Sequence, residues 1–448
     1  MNIDLTTNES KKNLIYTCSV GDERYKKLCV ILVKSLRNLA KYTGDIILFV
    51  DKNEYFDELR DLCDIREVNF RKISVERDTI KYTKSHYYNR IVVGDFFDPS
   101  VYHNIAYFDN DCFIQKNIDS IFCSRGEFIY FEESLIMDKC LESNYVLKQF
   151  PEYENYKNTK TITSGIFVTH GNSFLRHMRT WGDSVIQYPD YNLGSENAYL
   201  SYVIRKKIIP DAVPCRCIEY SPARRTTDLK NENIHIFHFI GNILNVKKQS
   251  LMEECYNYNV LKCEYTKRCN TPSYINEHLP TLKYYASMCD SVVEFGVDEA
   301  NSTFALMYGF PKKIISYDIL DKPAAKVAKK IAGENGIEYE FKVSDSRYVD
   351  IDPCDLLFID SDHKYAVCYI ELTKHSAKVK KYIILHDTVY FGTKDTGEKF
   401  GHCDYAHFGK RGLNAAIDDF LKDEKDGINW IVEKIFINNN GLTILKRK

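Results

Sequence analysis

The stretch Ile105-Ala106-Tyr107-Phe108-Asp109-Asn110-Asp111-Cys112-Phe113-Ile114 constrains the fold more than any other part of the chain. Its apolar and aromatic residues up to Phe108 predict a buried strand, and the chain leaves the sheet at Asp109. In an extended backbone residues i and i+2 point the same way, so the carboxylates of Asp109 and Asp111 are expected to converge on one cation. A hard divalent ion held by one or two carboxylates, with water and phosphate oxygens in its other positions, is a common protein answer to a diphosphate. A lone pair of aspartates is more often a solvated turn, so the reading depends on what surrounds it.

The surroundings are α/β. Residues 14–19 predict a first strand, 22–41 an amphipathic helix with Leu28, Ile31, Leu32, Leu36 and Leu39 at helical spacing, and 45–51 a second strand. Such sheets bind ligands at the carboxyl ends of their strands, which nominates Thr17, Ser19 and Asp51 as nucleotide contacts. A helix over 85–97 carries Tyr88 and Arg90, and a strand over 161–169 is entered through Ser164-Gly165. Ser195, a good N-cap, opens a helix at Glu196-Asn197. A β-patterned run over 234–241 ends near His238, a histidine that by itself reads more readily as structural.

At 448 residues the chain suits two domains. With 44% hydrophobic and 28% charged residues it has the composition of a globular protein, and a net charge of −2 gives no reason to expect nucleic acid or an acidic membrane as partner. The polar first residues carry no apolar signal core and no run has the length of a membrane span, so a cytoplasmic location is expected. The 15 cysteines include no C-x-x-C pair and are scattered through apolar runs, which fits reduced thiols. Cys215-Arg216-Cys217 is the closest pair and a slim basis for a metal site.

Polar residues, Lys and Tyr crowd residues 243–275, read as a short helical linker with a boundary near 260. A second α/β unit follows. Strand 291–296 ends in Glu294-Phe295-Gly296, and Ser302-Thr303 stand at the start of the next helix. Strand 313–318 ends in Asp318, 22 residues after Gly296, the separation at which nucleotide-binding sheets place an acid for the ribose hydroxyls. With a single glycine in the turn, a dinucleotide fold is disfavoured. Two further strands, 355–359 and 382–386, deliver Asp360 with His363 and His386 with Asp387 to neighbouring tips, a plausible cation site or a pair of solvated acidic turns. Residues 430–445, turning at Asn438-Asn439-Asn440-Gly441, predict a closing β-hairpin.

These motifs carry two resemblances. Residues 13–245 resemble the type A glycosyltransferases of the glycogenin and lipopolysaccharide-galactosyltransferase group, through Tyr88-Asn89-Arg90-Ile91, Asp109-Asn110-Asp111, Ser164-Gly165-Ile166, Glu196-Asn197 and His238-Phe239-Ile240-Gly241. That likeness implies a Mn²⁺ or Mg²⁺ ion on Asp109, Asp111 and His238, Arg90 beside the phosphates, and Glu196 and Asn197 facing the transferred sugar. Leu244 stands where that group usually has a lysine, with Lys247 and Lys248 nearby.

Residues 275–448 are similar to class I S-adenosylmethionine-dependent O-methyltransferases, closest to the metal-dependent enzymes that methylate sugars. The likeness rests on Glu294-Phe295-Gly296, Ile359-Asp360-Ser361-Asp362-His363-Lys364-Tyr365, with Ser361 for a glycine, and Leu385-His386-Asp387-Thr388. It implies that Glu294, Gly296, Ser302, Thr303, Asp318 and Asp345 meet S-adenosylmethionine, that Asp360, Asp387 and His386 hold Mg²⁺, and that His363 is the general base.

The resulting expectation is an α/β chain of two Rossmann-like domains: a glycosyltransferase domain at 1–245, a linker at 246–275 and a methyltransferase domain at 276–448. It would transfer a sugar from a nucleotide-diphosphate sugar to a glycan or glycolipid acceptor and O-methylate a sugar hydroxyl; a homo-oligomer is compatible with the sequence. The alternative is a sugar O-methyltransferase whose first half only binds the acceptor.

Overall fold

The computed structural model describes residues 12–70, 89–139, 152–186, 196–223, 229–240, 247–396, 410–423, 425 and 427–448. Tyr88, Ser195, Gly241 and Leu244 lie outside them, as does the side chain of Glu196. The chain divides into two compact units, 1–256 and 257–448.

In the first unit the strands are β1 Leu14–Ser19, β2 Asp45–Val50, β3 Asp64–Glu67, β4 Asn104–Phe108, β5 Cys112–Ile114, β6 Phe128–Ile136, β7 Lys160–His170, β8 Ala212–Pro214, β9 Tyr220–Pro222 and β10 Ile236–His238. Seven of them form a mixed sheet in the order β3-β2-β1-β4-β7-β6-β8, and β5-β10-β9 form a small second sheet. The central strands are buried along nearly their whole length and mostly apolar because both faces are covered. Tyr16, Tyr107 and Phe167 face Phe174, Met178 and Trp181 of the Gly171–Ile186 helix. Ile15, Ala106, Phe108, Ile166 and Val168 face the other side, with Leu32 and Leu36. Each large apolar side chain buried in this way contributes about 1.5–3 kcal/mol.

Strands β2 and β3 extend the sheet to one side of β1 and β4 lies on the other, all parallel. The order therefore reverses between β1 and β4, the point at whose carboxyl ends such sheets bind ligands, and Ser19 and Asp109 stand at those ends. The helix expected over 22–41 begins at Glu23, capped by the Asp22 carboxylate, which accepts the Arg24 N–H at 2.8 Å. It ends at Lys34 and continues as a π turn, Ser35–Leu39.

The second unit has β11 Ser291–Phe295, β12 Lys313–Asp318, β13 Glu338–Val343, β14 Cys354–Ile359, β15 Val379–His386, β16 Trp430–Phe436 and β17 Leu442–Arg447, in the order β13-β12-β11-β14-β15-β17-β16. The first five are parallel and the closing hairpin is antiparallel. Its turn takes Asn439 and Asn440 to φ 43° and 68° and Gly441 to φ 91°, as the Asn-rich sequence predicts. Here the switch point lies between β11 and β14, which places Gly296 and Asp360 side by side. The stretch read as a short linker is mostly one 23-residue helix, Lys248–Asn270, and the chain divides within it. Among the described residues 13 cysteines are free, and no helix is long and apolar enough to cross a membrane.

Candidate active sites

In the first unit, Asp109 and Asp111 sit in a tight turn rather than an extended segment, closed by the Cys112 N–H donating to the Asp109 carbonyl at 2.9 Å. His238, on β10, approaches both, and the group whose ligand atoms lie within 4.8 Å of one another is Asp111, Cys112 and His238, with Asp109 beside the imidazole. Its Nε2 lies 3.1 Å from Asp111 Oδ1 and 3.7 Å from Asp109 Oδ2. Gly165, on β7 beneath them, makes the space: a Cβ there would lie 2.4 Å from His238 Cε1 and 2.5 Å from Asp109 Oδ2.

Each aspartate keeps one oxygen for this cluster and gives the other to a cation. Asp109 Oδ1 takes the Arg90 guanidinium at 2.9 Å and the Tyr107 hydroxyl at 2.6 Å. Asp111 Oδ2 takes the ammonium of Lys248, a buried side chain, at 2.7 Å. Asp111 Oδ1 is buried and faces the His238 imidazole. Burial opposes charge at both Asp111 and His238. The attraction between them, with Lys248 added, outweighs it, holding the Asp111 carboxyl well below the carboxylate range and raising the imidazole.

This donor set fits a hard divalent ion. The Cys112 thiol also lies within 4.8 Å of Asp111 and His238, but burial pushes its pKa well up, so it stays a protonated thiol and a poor ligand. Tyr220 reaches His238 Nδ1 at 3.1 Å, a contact that would fix the ring for ligation through Nε2. The cysteines of the Cys215-Arg216-Cys217 pair join no metal-binding group among the described residues.

The other expected contacts are placed as follows. Thr17 and Ser19 are buried at the end of β1, and neither hydroxyl has a partner among the described residues. Asp51 Oδ2 accepts the Gly21 N–H at 3.0 Å. Arg90 is buried and turned onto Asp109 and Ser164, so its first role is to hold Asp109. The Asn197 side-chain oxygen accepts the Ser164 N–H, fixing the bend in β7 beside Gly165. Lys248, one of the two lysines near the place where the resembled group carries one, is the lysine that reaches the cluster, whereas Tyr220, on a three-residue strand, was not legible in sequence.

In the second unit the tips of β14 and β15 bring four side chains together. His363 Nε2 lies 3.2 Å from Asp360 Oδ1 and 2.9 Å from Asp387 Oδ2. His386 Nδ1 lies 3.1 Å from Asp360 Oδ1 and 3.5 Å from Asp387 Oδ1. His386 Nε2 must donate to the Tyr274 carbonyl, 3.2 Å away, because a carbonyl only accepts. Its Nδ1 therefore faces two carboxylates and needs a proton or a metal there. Asp387 Oδ1 is buried with no hydrogen-bond partner among the described residues, and Asp360, His386 and Asp387 offer ligand atoms within 4.8 Å of one another. These residues fit Mg²⁺.

Burial opposes charge at Asp360 too, but His386 and His363 hold its carboxyl well below the usual range. Likewise the two carboxylates overcome burial at His363 and push it up to about 10. Phe391 stacks on the His363 ring at 4.8 Å and 7°.

Glu294 is fully buried at the end of β11, and its carboxylate accepts hydroxyls from Ser302 (2.6 Å), Thr303 (2.8 Å) and Ser316 (2.5 Å). Those serine and threonine hydroxyls are thus directed into the core. Burial lifts the Glu294 pKa from 4.5 to about 7. The folded state holds that proton more tightly than the unfolded chain does. Its contribution to stability is full below pH 4.5 and is lost as pH rises through 7. Wild type is therefore expected to lose stability relative to Glu294→Gln between pH 5 and 8, measured by denaturant titration at each pH; an unchanged gap would contradict a buried titrating carboxyl.

Gly296, at φ +86°, is required by packing, since a Cβ would lie 2.0 Å from the Asp360 carbonyl oxygen. Asp318 Oδ2 accepts the Val297 and Asp298 N–H groups at 3.0 and 3.3 Å, so the acid at the tip of β12 also holds the glycine turn. Asp298 and Ala300 in that turn have φ of 44° and 62°. Asp345 is chelated by its neighbour Arg347. Sequence reasoning missed Glu371, a buried acid on the apolar face of the Tyr365–His375 helix. An acid between Cys368 and Leu372 at core positions was the available signal.

No protein-family model matches the chain, and no curated protein matches it. Among solved structures it is similar to an O-methyltransferase from Bacillus cereus in complex with SAH, at 13% identity and TM-score 0.30, covering 43% of this chain and 90% of that one. A protein from Klebsiella pneumoniae, provisionally assigned as an O-methyltransferase, matches with the same identity, TM-score and coverage. Likeness at this level fixes no chemistry, and the functional reading rests on the residues.

Proposed function

We propose that the second unit is a metal-assisted, S-adenosylmethionine-dependent O-methyltransferase acting on a sugar hydroxyl, and that the first transfers a sugar from a nucleotide-diphosphate sugar to a glycan or glycolipid acceptor. The observation that carries the first part is the group Asp360, His386 and Asp387 at neighbouring strand tips, in which Asp387 Oδ1, beside His386, is buried with no hydrogen-bond partner among the described residues. Asp360, Asp387 and His386 would hold Mg²⁺, which lowers the pKa of a bound alcohol, while S-adenosylmethionine supplies an electrophilic methyl group.

The chain's own part is to bind, orient and move a proton. Asp318 and Gly296 would frame the cofactor's ribose at the switch point, with Asp345 toward the adenine. His363 would accept the acceptor's hydroxyl proton. It can do so only when another cation shares Asp360 and Asp387, because those carboxylates otherwise keep its ring protonated.

In the first unit, Asp109, Asp111 and His238 would hold Mn²⁺ or Mg²⁺, which as a Lewis acid stabilises a diphosphate leaving group. Arg90 and Lys248 would fix the two carboxylates. The same two contacts also favour a second reading, in which both carboxylates are already neutralised and this half only binds the acceptor.

Mass spectrometry of products from a panel of nucleotide-sugars and acceptors, with S-adenosylmethionine and Mg²⁺, tests both activities. A mass gain of one methyl group on the acceptor is expected, with or without a prior gain of one sugar. Calorimetry with UDP or GDP decides the first half: binding that requires Mn²⁺ supports transfer, and its absence leaves only the acceptor-binding reading.

A further inference from the structure

We infer that Glu371 and His375, one turn apart on the Tyr365–His375 helix, form a buried clamp that positions the turn carrying Asp345 and the turn carrying Asp360–His363 together. This rests on the methyltransferase reading of the second unit and adds a positioning residue, Glu371, to it.

The Glu371 side chain is fully buried, and its Oε1 accepts the hydroxyls of both Ser346 and Ser361, the latter at 2.6 Å. Ser346 follows Asp345 in the turn after β13; Ser361 follows Asp360 in the turn after β14. One carboxylate oxygen therefore joins two turns that are separate in the chain. His375, also buried, makes the second hold: its Nε2 donates to the Ser346 carbonyl at 2.9 Å. The His375 ring lies edge-on to Phe295, 5.0 Å away, at the end of β11. Three strand ends thus meet one helix face.

Burying a carboxylate is expensive, and a leucine would serve an ordinary core position at lower cost. What the acid adds is direction, since two hydrogen bonds to one oxygen fix both turns to one point. Ser361 stands where the resembled enzymes have glycine, which has no hydroxyl to donate. Serine and acid therefore act as a pair. Glu371 Oε2 is buried with no hydrogen-bond partner among the described residues, so the contact with the two serines is the carboxylate's visible role.

The test is calorimetric binding of S-adenosylhomocysteine, alongside kcat and KM for methyl transfer, in Ser361→Ala, Glu371→Gln, Glu371→Leu and the Ser361→Ala/Glu371→Leu double variant. Glu371→Gln keeps a carbonyl oxygen for the serines, so Kd should stay within about threefold of wild type. Ser361→Ala should weaken binding about tenfold and Glu371→Leu about tenfold to a hundredfold. The double variant should be no worse than Glu371→Leu, because both changes break one contact.

Wild-type affinity in Ser361→Ala and Glu371→Leu, with only the melting temperature lowered, overturns the clamp and leaves the methyltransferase reading intact. Additive losses in the double variant overturn the pairing. If wild type binds no S-adenosylhomocysteine, that reading falls and takes the clamp with it. Should Glu371→Leu fail to fold, Ser361→Ala and Glu371→Gln decide the question.

Discussion

Asp387→Asn is expected to lower methyl transfer about a thousandfold, on the order of 4 kcal/mol in the barrier, without unfolding the second unit. The substitution removes charge and little else. Asp387 holds φ 62°, a left-handed conformation that asparagine adopts as readily as aspartate, so the backbone at the tip of β15 need not move. What is lost is the anionic oxygen that lies buried 3.5 Å from His386 Nδ1, with no hydrogen-bond partner among the described residues, together with one of the two carboxylates that face His363. Chelating divalent ions from the wild-type protein should bring its rate down to a similar residual level, and the same treatment should barely change the variant. The check is initial rate against free Mg²⁺ concentration for both proteins, with thermal melts as the folding control. Turnover in Asp387→Asn equal to wild type, or a wild-type rate indifferent to the chelator, would remove the metal-assisted mechanism.

Much of this cluster is legible in the sequence. Strands β14 and β15 are buried on both faces over their last four residues, so each ends in an apolar run, and the polar residues at and just past its end lie at the strand tips. Asp360, His363, His386 and Asp387 were readable for that reason. Glu294 shows the limit of the rule: it is also an acid at a strand end, yet its side chain alternates into the core, where three hydroxyls receive it. Whether a residue at a strand tip points in or out depends on the pleat and on the neighbouring helix, which one sequence does not display. Short strands were harder still. β5, β8, β9 and β10 span three residues each, too few for periodicity to declare itself, and β10 was found only within a longer apolar run. Contacts across long separations were legible only through the resemblance: Lys248 lies 137 residues from Asp111, and only the lysine expected near Leu244 points to it.

Gly165→Ala offers the sharpest test of the first unit, because it alters the space between ligands and no ligand. The glycine has no positive φ, so alanine can take its backbone conformation. The new methyl would fall 2.4 Å from His238 Cε1 and 2.5 Å from Asp109 Oδ2, and both side chains belong to the proposed cation site. Neither contact is tolerable, and neither side chain can move freely. Asp109 is tied to Arg90 and Tyr107, and His238 to Tyr220. The ligand atoms must therefore spread, and Mn²⁺-dependent nucleotide binding should weaken about a hundredfold, at the upper end of what displaced supporting groups cost a metal site. Gly182→Ala in the Gly171–Ile186 helix supplies the control. Among the described residues its Cβ would meet only Ile91, at 3.6 Å, so binding should be unchanged and stability should rise slightly. Calorimetry of UDP or GDP with and without Mn²⁺ reads both variants. Equal metal-dependent binding in Gly165→Ala and wild type would mean that Asp109, Asp111 and His238 do not share an ion, however closely their atoms approach.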